Sequence, residues 1–407
     1  MAANTSKKKT TSRTKKTTSG RRTTRKTTPR KTTPKAVEQE APKAVEQEAP
    51  KAVEQEAPKA VEKVVEPQDR QLKIGIDLGT SKVAMQSSRG AKTVFASVVG
   101  YPKDIISAKL LKSDKAIGDE VLEKLSYLDV YFPLRTGVIL ETTDRVMDAA
   151  KDLLQHAVNL AAPADGDEIC AVIGIPATAS AASKEQIFKL TREMVDVTLV
   201  VSEPFMVGYG LGRLNNTIIV DIGAGTSDIC ALKAAVPAPE DQVTINKGGD
   251  YIDTVLQALL EESFPDIQVT KQLVQSIKEQ YSFVDQRDEE IIVTFRADGK
   301  PGEYDITEEV KAACESLVSP IVEEIENILM RFGPEDQAEA LQNIYLAGNG
   351  AKIKGLDQVL EAMLQEYGDV KITCVEDPDY AGCHGALQIA MELPMAQWGQ
   401  LGDLRKK

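Results

Sequence analysis

A chain of 407 residues with 42% hydrophobic residues, 27% charged residues and a formal net charge of −13 is long enough for two domains with large cores and has the composition of a soluble globular protein. Nothing in it approaches the roughly 18 apolar residues of a membrane span, and the N-terminus has no apolar stretch of the kind that marks a secretory signal. The two histidines, His156 and His384, argue against histidine-based metal or triad chemistry, and the five cysteines (Cys170, Cys230, Cys314, Cys374, Cys383) contain no CxxC pair, so they are expected to be reduced, buried thiols of a cytoplasmic protein.

The charge is unevenly spread. Residues 1–34 carry twelve Lys and Arg and no acid, residues 35–67 five Lys and eight Glu, and the remainder 32 basic against 54 acidic residues. The chain is a cationic tail on an anionic body. The tail, KKKTTSRTKKTTSGRRTTRKTTPRKTTP, has too little apolar surface to offset its ordering entropy and is expected to be disordered. Three copies of KAVEQEAP (35–42, 43–50, 51–58) and a degraded fourth follow. A proline closing each copy stops a helix from running through, so 35–67 reads as a semi-extended linker. The tail is either an inert solvated extension or an electrostatic anchor for lipid, nucleic acid or an acidic protein. With no aromatic residue interleaved, any nucleic-acid contact would be to phosphates.

From about residue 72, short β-branched runs alternate with helical patterns. The runs are KIGIDL, TVFASVVG, EICAVIGIP, VTLVVSEP, TIIVDIG, EEIIVTF, NIYLAGNG and VKITCVED. Helices are predicted over 143–161 and 307–332, each opening at a threonine suited to an N-cap. The alternation implies an α/β fold with buried, parallel or mixed sheets.

Two of these strands end alike. Asp77 precedes GTSK (79–82), and Asp221 precedes GAGT (223–226). A carboxylate closing a buried strand is costly unless a cation compensates it, and a glycine-rich turn beside it offers backbone N–H groups to an anion. One such hairpin is a common structure. Two, 144 residues apart and each heading an α/β half, imply a duplicated fold with a polyphosphate clamped between the halves and Mg²⁺ held by the aspartates through water. No Walker A motif and no convincing GxGxxG is present.

These motifs resemble the actin-like ATPases, the superfamily of actin, sugar kinases and heat-shock chaperone ATPases. IGIDLGTSKVA is similar to the first phosphate loop of that superfamily, IVDIGAGTSDI to the second, and IYLAGNGAKIKGL (344–356) to the adenosine loop. VVSEPFMVGYG (200–210), FPLRTGVI (132–139) and IPATASAASKEQI (175–187) follow the bacterial actins. SVVGYPKDII, SYLDVYFPL, VDVTLVVSEPF, PEDQVT and CVEDPDYAGCHGAL resemble the actins of magnetosome filaments rather than the wall-associated cell-shape actins. The tail and linker depart from that pattern.

The resemblance covers roughly 72–393. It implies an actin-like duplicated fold of two domains (68–217 and 218–393) and four subdomains, followed by a C-terminal tail (394–407). By the same resemblance Asp77 and Asp221 are the Mg²⁺-side carboxylates, and Gly79, Thr80, Ser81 and Lys82 face Gly223, Ala224, Gly225 and Thr226 across the phosphates of ATP or ADP. Gly348, Asn349, Gly350 and Lys354 form the adenosine side, with Lys278 over the ribose or adenine. Gln275 stands where the family often has an acid. Glu203, fixed by Pro204 at the head of a helix, is the catalytic residue that positions the attacking water, although an acid there also suits a helix dipole.

The activity implied is ATP hydrolysis coupled to a cytoplasmic, cytoskeletal homopolymer, most simply one that positions magnetosomes with the proteins of those organelles. The alternative is a segregation filament tethered by the tail to DNA or membrane. A sugar kinase would need a catalytic Asp base in a sugar pocket, for which there is no motif. A chaperone would need a peptide-binding domain after residue 394, where thirteen residues remain.

Overall fold

The computed structural model describes residues 70–398 except 141, 287, 288 and 395. The basic tail, the linker and residues 399–407 lie outside the described residues. Two five-stranded sheets carry the fold. The first is built from β1 (Gln71–Leu78), β2 (Lys82–Ser87), β3 (Lys92–Ala96), β4 (Glu168–Ile175) and β5 (Val197–Ser202), in the order β5-β4-β1-β2-β3. The second has β6 (Thr217–Ile222), β7 (Ser227–Leu232), β8 (Gln242–Ile245), β9 (Ile344–Ala347) and β10 (Ile372–Cys374), in the order β8-β7-β6-β9-β10. In each, the central strand makes an antiparallel hairpin on one side and a parallel pair on the other. The same plan is laid down twice.

Strand periodicity decides what each central strand presents. In β1, Leu72, Ile74, Ile76 and Leu78 are all at most 1% exposed and share one core with Leu153, Leu154 and Ile173. Burying each side chain of this size is worth about 1.5–3 kcal/mol, so a one-residue slip that turned all four outward would not survive. The alternate residues Gly75 and Asp77 therefore face the other way. In β6, Ile218, Val220 and Ile222 enter the second core, leaving Ile219 and Asp221 on the opposite face.

Two helices occupy those opposite faces. The helix α3 (Glu203–Gly210) packs on β6 and β7, and α9 (Ala381–Glu392) packs on β1, β2 and β4. A side chain at Gly385 would lie 1.8 Å from the Met206 carbonyl, so glycine lets the two helices touch backbone to backbone. α1 (Asp144–Leu160) and α2 (Ala181–Thr191) bury their apolar faces in the first core, and α4 (Gly249–Ser263), α5 (Lys271–Tyr281), α6 (Thr307–Glu315), α7 (Val318–Leu329) and α8 (Leu356–Leu364) bury theirs in the second. No helix among the described residues is long and apolar enough to cross a membrane.

Several expectations need correction. A boundary at 217/218 assigns α9 to the second half, but its apolar face packs on the first sheet. The helix expected over 307–332 breaks into α6 and α7. Pro320 has no N–H for the carbonyl of residue 316, and it is accommodated in the first turn of a new helix. Thr307 is not the N-cap, a place taken by Ile306; its hydroxyl accepts from Ile291 N–H at 2.7 Å and donates to Asp305 at 2.6 Å. TVFASVVG divides between β3 and a short strand at Val99–Pro102 in another sheet. Cys374 is exposed, unlike the other four cysteines. Within the expected C-terminal tail, Trp398 is buried against Met206 and Ala386.

Candidate nucleotide site

A cleft of about 330 Å³ opens between the two glycine turns. Each turn is held from outside. In the first, Ser97 donates its hydroxyl to the Gly79 carbonyl at 2.7 Å, and Thr80 Oγ1 accepts from Gly137 N–H at 2.7 Å. Thr136, beside that glycine, has φ 47°. In the second, the Gly223 N–H closes the turn on the Thr226 carbonyl at 2.9 Å. The first residues of α4 then cap it, Gly249 and Asp250 donating to the carbonyls of Gly223 and Ala224 at 3.0 and 2.8 Å. A Cβ on Gly225 would stand 2.5 Å from Thr80 Oγ1 and 2.8 Å from Thr136 Cα, so the two turns meet at this glycine.

Four carboxylates gather below. Asp77 ends β1, Asp221 ends β6, Asp228 is its cross-strand partner on β7, and Glu203 is the first residue of α3. Burial, then the charge of Asp228, pushes the Asp77 carboxyl up to about 6. Burial, then Asp77 and Asp228, raises Asp221 well above the usual range. Glu203 is raised by burial and by Asp77, Asp228 and Asp221 in that order. Asp228 is raised by burial despite accepting from Thr244 Oγ1 at 2.6 Å and Ala177 N–H at 2.7 Å. Among the described residues no lysine or arginine pairs with any of the four, and Glu203 Oε1 is out of contact with solvent and has no hydrogen-bond partner.

Such a cluster lacks a cation. Among the described residues no three ligating side chains converge closely enough to hold a metal ion unaided. A hydrated Mg²⁺, gripped through its waters and completed by a polyphosphate, fits that donor set.

On the far wall, Gly348 has φ +68°, and a side chain there would meet Asp221 Oδ1 and the Ile222 carbonyl at 2.4 Å. Only glycine lets the turn after β9 cross the end of β6 so closely. Asn349 and Gly350 continue this wall. Lys278 also lines the cleft, 2.9 Å from Asp253 Oδ1 and donating to the Gly249 carbonyl at 3.0 Å. Gln275 lines it too and donates to Glu279, so an acid is present one helical turn after the position where it was missed.

The cleft thus brings together every residue expected from the sequence except Lys354. That lysine's backbone pairs with the chain at 282–284, and the lysine lining the cleft is Lys352. Sequence reasoning missed Asp228, Asp253, Lys352 and Asp379. Asp228 was legible as the second acid of DIGAGTSD; the others are brought in by tertiary packing.

The sequence pattern of the family described as MreB/Mbl protein matches residues 71–397. The chain is 53% identical over 334 residues to the actin-like protein MamK of Paramagnetospirillum magneticum, spanning 82% of this chain and 96% of that protein. It is 28% identical over 330 residues to the cell shape-determining protein Mbl of Bacillus subtilis, spanning 75% and 91%. Among solved structures it matches a MamK double helical filament with a TM-score of 0.78 at 53% identity, covering 80% of this chain and 100% of that one. It also matches a non-polymerising MamK mutant bound to AMPPNP, with a TM-score of 0.64 at 52% identity over 79% and 99%.

Proposed function

Because the chain belongs to the MreB/Mbl family of actin-like proteins, we propose that it is an ATPase that takes Mg·ATP between the turns at 79–82 and 223–226 and polymerises into filaments. The observation that carries the nucleotide reading is the group of four buried carboxylates, three of which (Asp77, Glu203 and Asp221) line the cleft between the two glycine turns, with no lysine or arginine paired to any of them among the described residues. Phosphoryl transfer asks a protein for position and charge more than for covalent chemistry. Asp77 and Asp221 would hold Mg²⁺ through water, and the ion when bound supplies the positive charge that neutralises phosphate oxygens.

The other roles fall to the chain's own groups. The two turns and Lys82 grip the phosphates. Asp253 fixes Lys278 at the cleft wall beside the nucleoside. Glu203 accepts a hydrogen bond from the attacking water and takes its proton. Lys352, rather than Lys354, contributes the cation of the adenosine wall.

The filament reading is supported by the likeness to the MamK double helical filament. Head-to-tail contacts are heterologous and do not close, so they generate open strands. The resemblance of segments such as SVVGYPKDII and CVEDPDYAGCHGAL to the actins of magnetosome filaments supports assigning the filament to the cytoplasm and to the positioning of magnetosomes. The twelve positive charges of residues 1–34, set against an acidic body, favour a tail that holds an anionic surface.

The test is sedimentation of the full chain beside phosphate release, with Mg·ATP and without nucleotide. Nucleotide-dependent pelleting with phosphate release is expected. Pelleting that ignores nucleotide, or no release at all, contradicts the proposal. Removal of residues 1–67 should leave both readouts intact and abolish salt-sensitive binding to anionic vesicles.

A further inference from the structure

The mouth of the cleft holds an arrangement of charges that the hydrolysis chemistry leaves unexplained. Asp379 lies in the segment joining β10 to α9, where the chain returns from the second sheet to the helix packed on the first. Its Oδ1 accepts from Asn349 Nδ2 at 2.9 Å and lies 3.6 Å from Lys82 Nζ; its Oδ2 accepts from Lys352 Nζ at 2.7 Å. Asn349 and Lys352 come from the turn after β9, and Lys82 opens β2. One carboxylate therefore takes donors from both halves, and all four residues line the cleft.

Its two lysines are not equivalent. Lys352 is hydrogen-bonded at 2.7 Å, whereas Lys82 stands 3.6 Å away, beyond hydrogen-bond reach, though both side chains are about half exposed. The carboxylate itself is well anchored. Lys92 of β3 pairs with Asp377 at 2.9 Å and lies 3.8 Å over the Tyr380 ring, fixing the segment on either side of Asp379. Burial works against ionisation of Asp379, but the bonds from Lys352 and Asn349 and the charges of Lys82 and Lys352 outweigh it and hold the carboxyl below its ordinary range. It is charged at neutral pH, and Lys82 is the partner that can leave.

We propose that Asp379 is a resident counter-ion that competes with the phosphates of the nucleotide for Lys82, and so sets how tightly the cleft holds a triphosphate. The inference rests on the nucleotide reading of the cleft. A triphosphate that draws Lys82 toward itself does so against the attraction of Asp379, so part of the lysine's attraction is spent on weakening the resident pair. The same pair spans the mouth, so its exchange frees the first turn from the β10–α9 segment when phosphate arrives. Asp379 is a positioning residue in this scheme and touches no reacting atom.

The experiment is a titration of the full chain with Mg·ATP and with adenosine, for wild type, Asp379→Asn, Lys82→Ala and the double variant. Asp379→Asn is expected to bind Mg·ATP about threefold more tightly, the scale of an exposed ion pair. Adenosine, which carries no phosphate for Lys82, should not share the gain, and the gain should vanish in the Lys82→Ala background. Asp379→Ser, which removes the charge by a different side chain, should shift Mg·ATP binding in the same direction. Equal weakening of ATP and adenosine would mean that Asp379 only supports the Asn349 turn. No change in ATP affinity, or a gain that persists without Lys82, also overturns the proposal. A wild-type protein that binds adenosine and ATP alike overturns it while leaving a nucleoside site, and one that binds neither removes the nucleotide reading itself.

Discussion

The turn at 79–82 and the turn at 223–226 follow the same strand pattern, yet they are closed by different means. The first is tied down by side chains, Ser97 on the Gly79 carbonyl and Thr80 against Gly137, and it carries a lysine at its exit. The second is closed by backbone, with the first amides of α4 donating into it, and its exit strand brings Asp228 instead of a cation. Each aspartate is overlaid by a glycine of another element, Asp77 by Gly382 and Asp221 by Gly348. A duplicated scaffold thus repeats the carboxylate and its glycine roof, while the charge beyond the turn has diverged. The first turn leads to a lysine, Lys82, and the second to a buried acid, Asp228.

The largest effect tests what lies between the turns. Glu203→Gln keeps the volume of the side chain and removes its capacity to take a proton from water. Phosphate release should fall on the order of 10²-fold, about 3 kcal/mol of transition-state stabilisation, with Mg·ATP affinity and pelleting retained. Wild-type release from this variant would place the catalytic group elsewhere, and loss of binding would make Glu203 a structural residue.

A smaller effect concerns the two aspartates. Because the folded-state carboxyl of Asp77 is raised to about 6, its stabilising contribution is present below the ordinary carboxylate range and lost as pH rises through about 6. Asp77→Asn should therefore stabilise the nucleotide-free protein at pH 7, by about 1.4 kcal/mol for each pH unit by which burial and Asp228 raise the carboxyl. The gain should shrink as pH falls toward 4. Asp221, raised by burial and then by Asp77 and Asp228, should behave alike in its Asn variant, and both variants should bind Mg·ATP more weakly. Thermal unfolding across that pH range, without nucleotide, is the check. A gain for one aspartate and a loss for the other would break the equivalence of the two carboxylates.

The smallest effect addresses the contact between the turns. A methyl at Gly225 meets Thr80 and Thr136 across the cleft, whereas one at Gly79 meets the Lys82 carbonyl within its own turn. Gly225→Ala should hold the halves apart and weaken Mg·ATP about tenfold, near 1.4 kcal/mol, by calorimetric titration. Unchanged affinity would show that the turns can part freely.

Much of this site was legible in the sequence because strand periodicity and turn chemistry are local. KIGIDLGTSK and TIIVDIGAGTS place Asp77 and Asp221 on the faces their neighbours leave open, and Glu203 before Pro204 marks the start of α3. What was not legible depends on distant segments. Nothing near Lys278 announces Asp253, which reaches it from another helix. Asp379 gains its role from Lys82 and Lys352, far from it in sequence, and α9 crosses back to the first sheet after the whole second half has been built. The break between α6 and α7 was local, written in Pro320, and was overridden by an apolar pattern that continues through it.

The most direct test of the account is a structure of the full chain with Mg·AMPPNP. The account predicts the triphosphate between residues 79–82 and 223–226, the metal on the Asp77 and Asp221 side with water between, and Glu203 facing the terminal phosphate. A nucleotide bound away from these turns, or a metal held directly by residues outside this group of carboxylates, would contradict it.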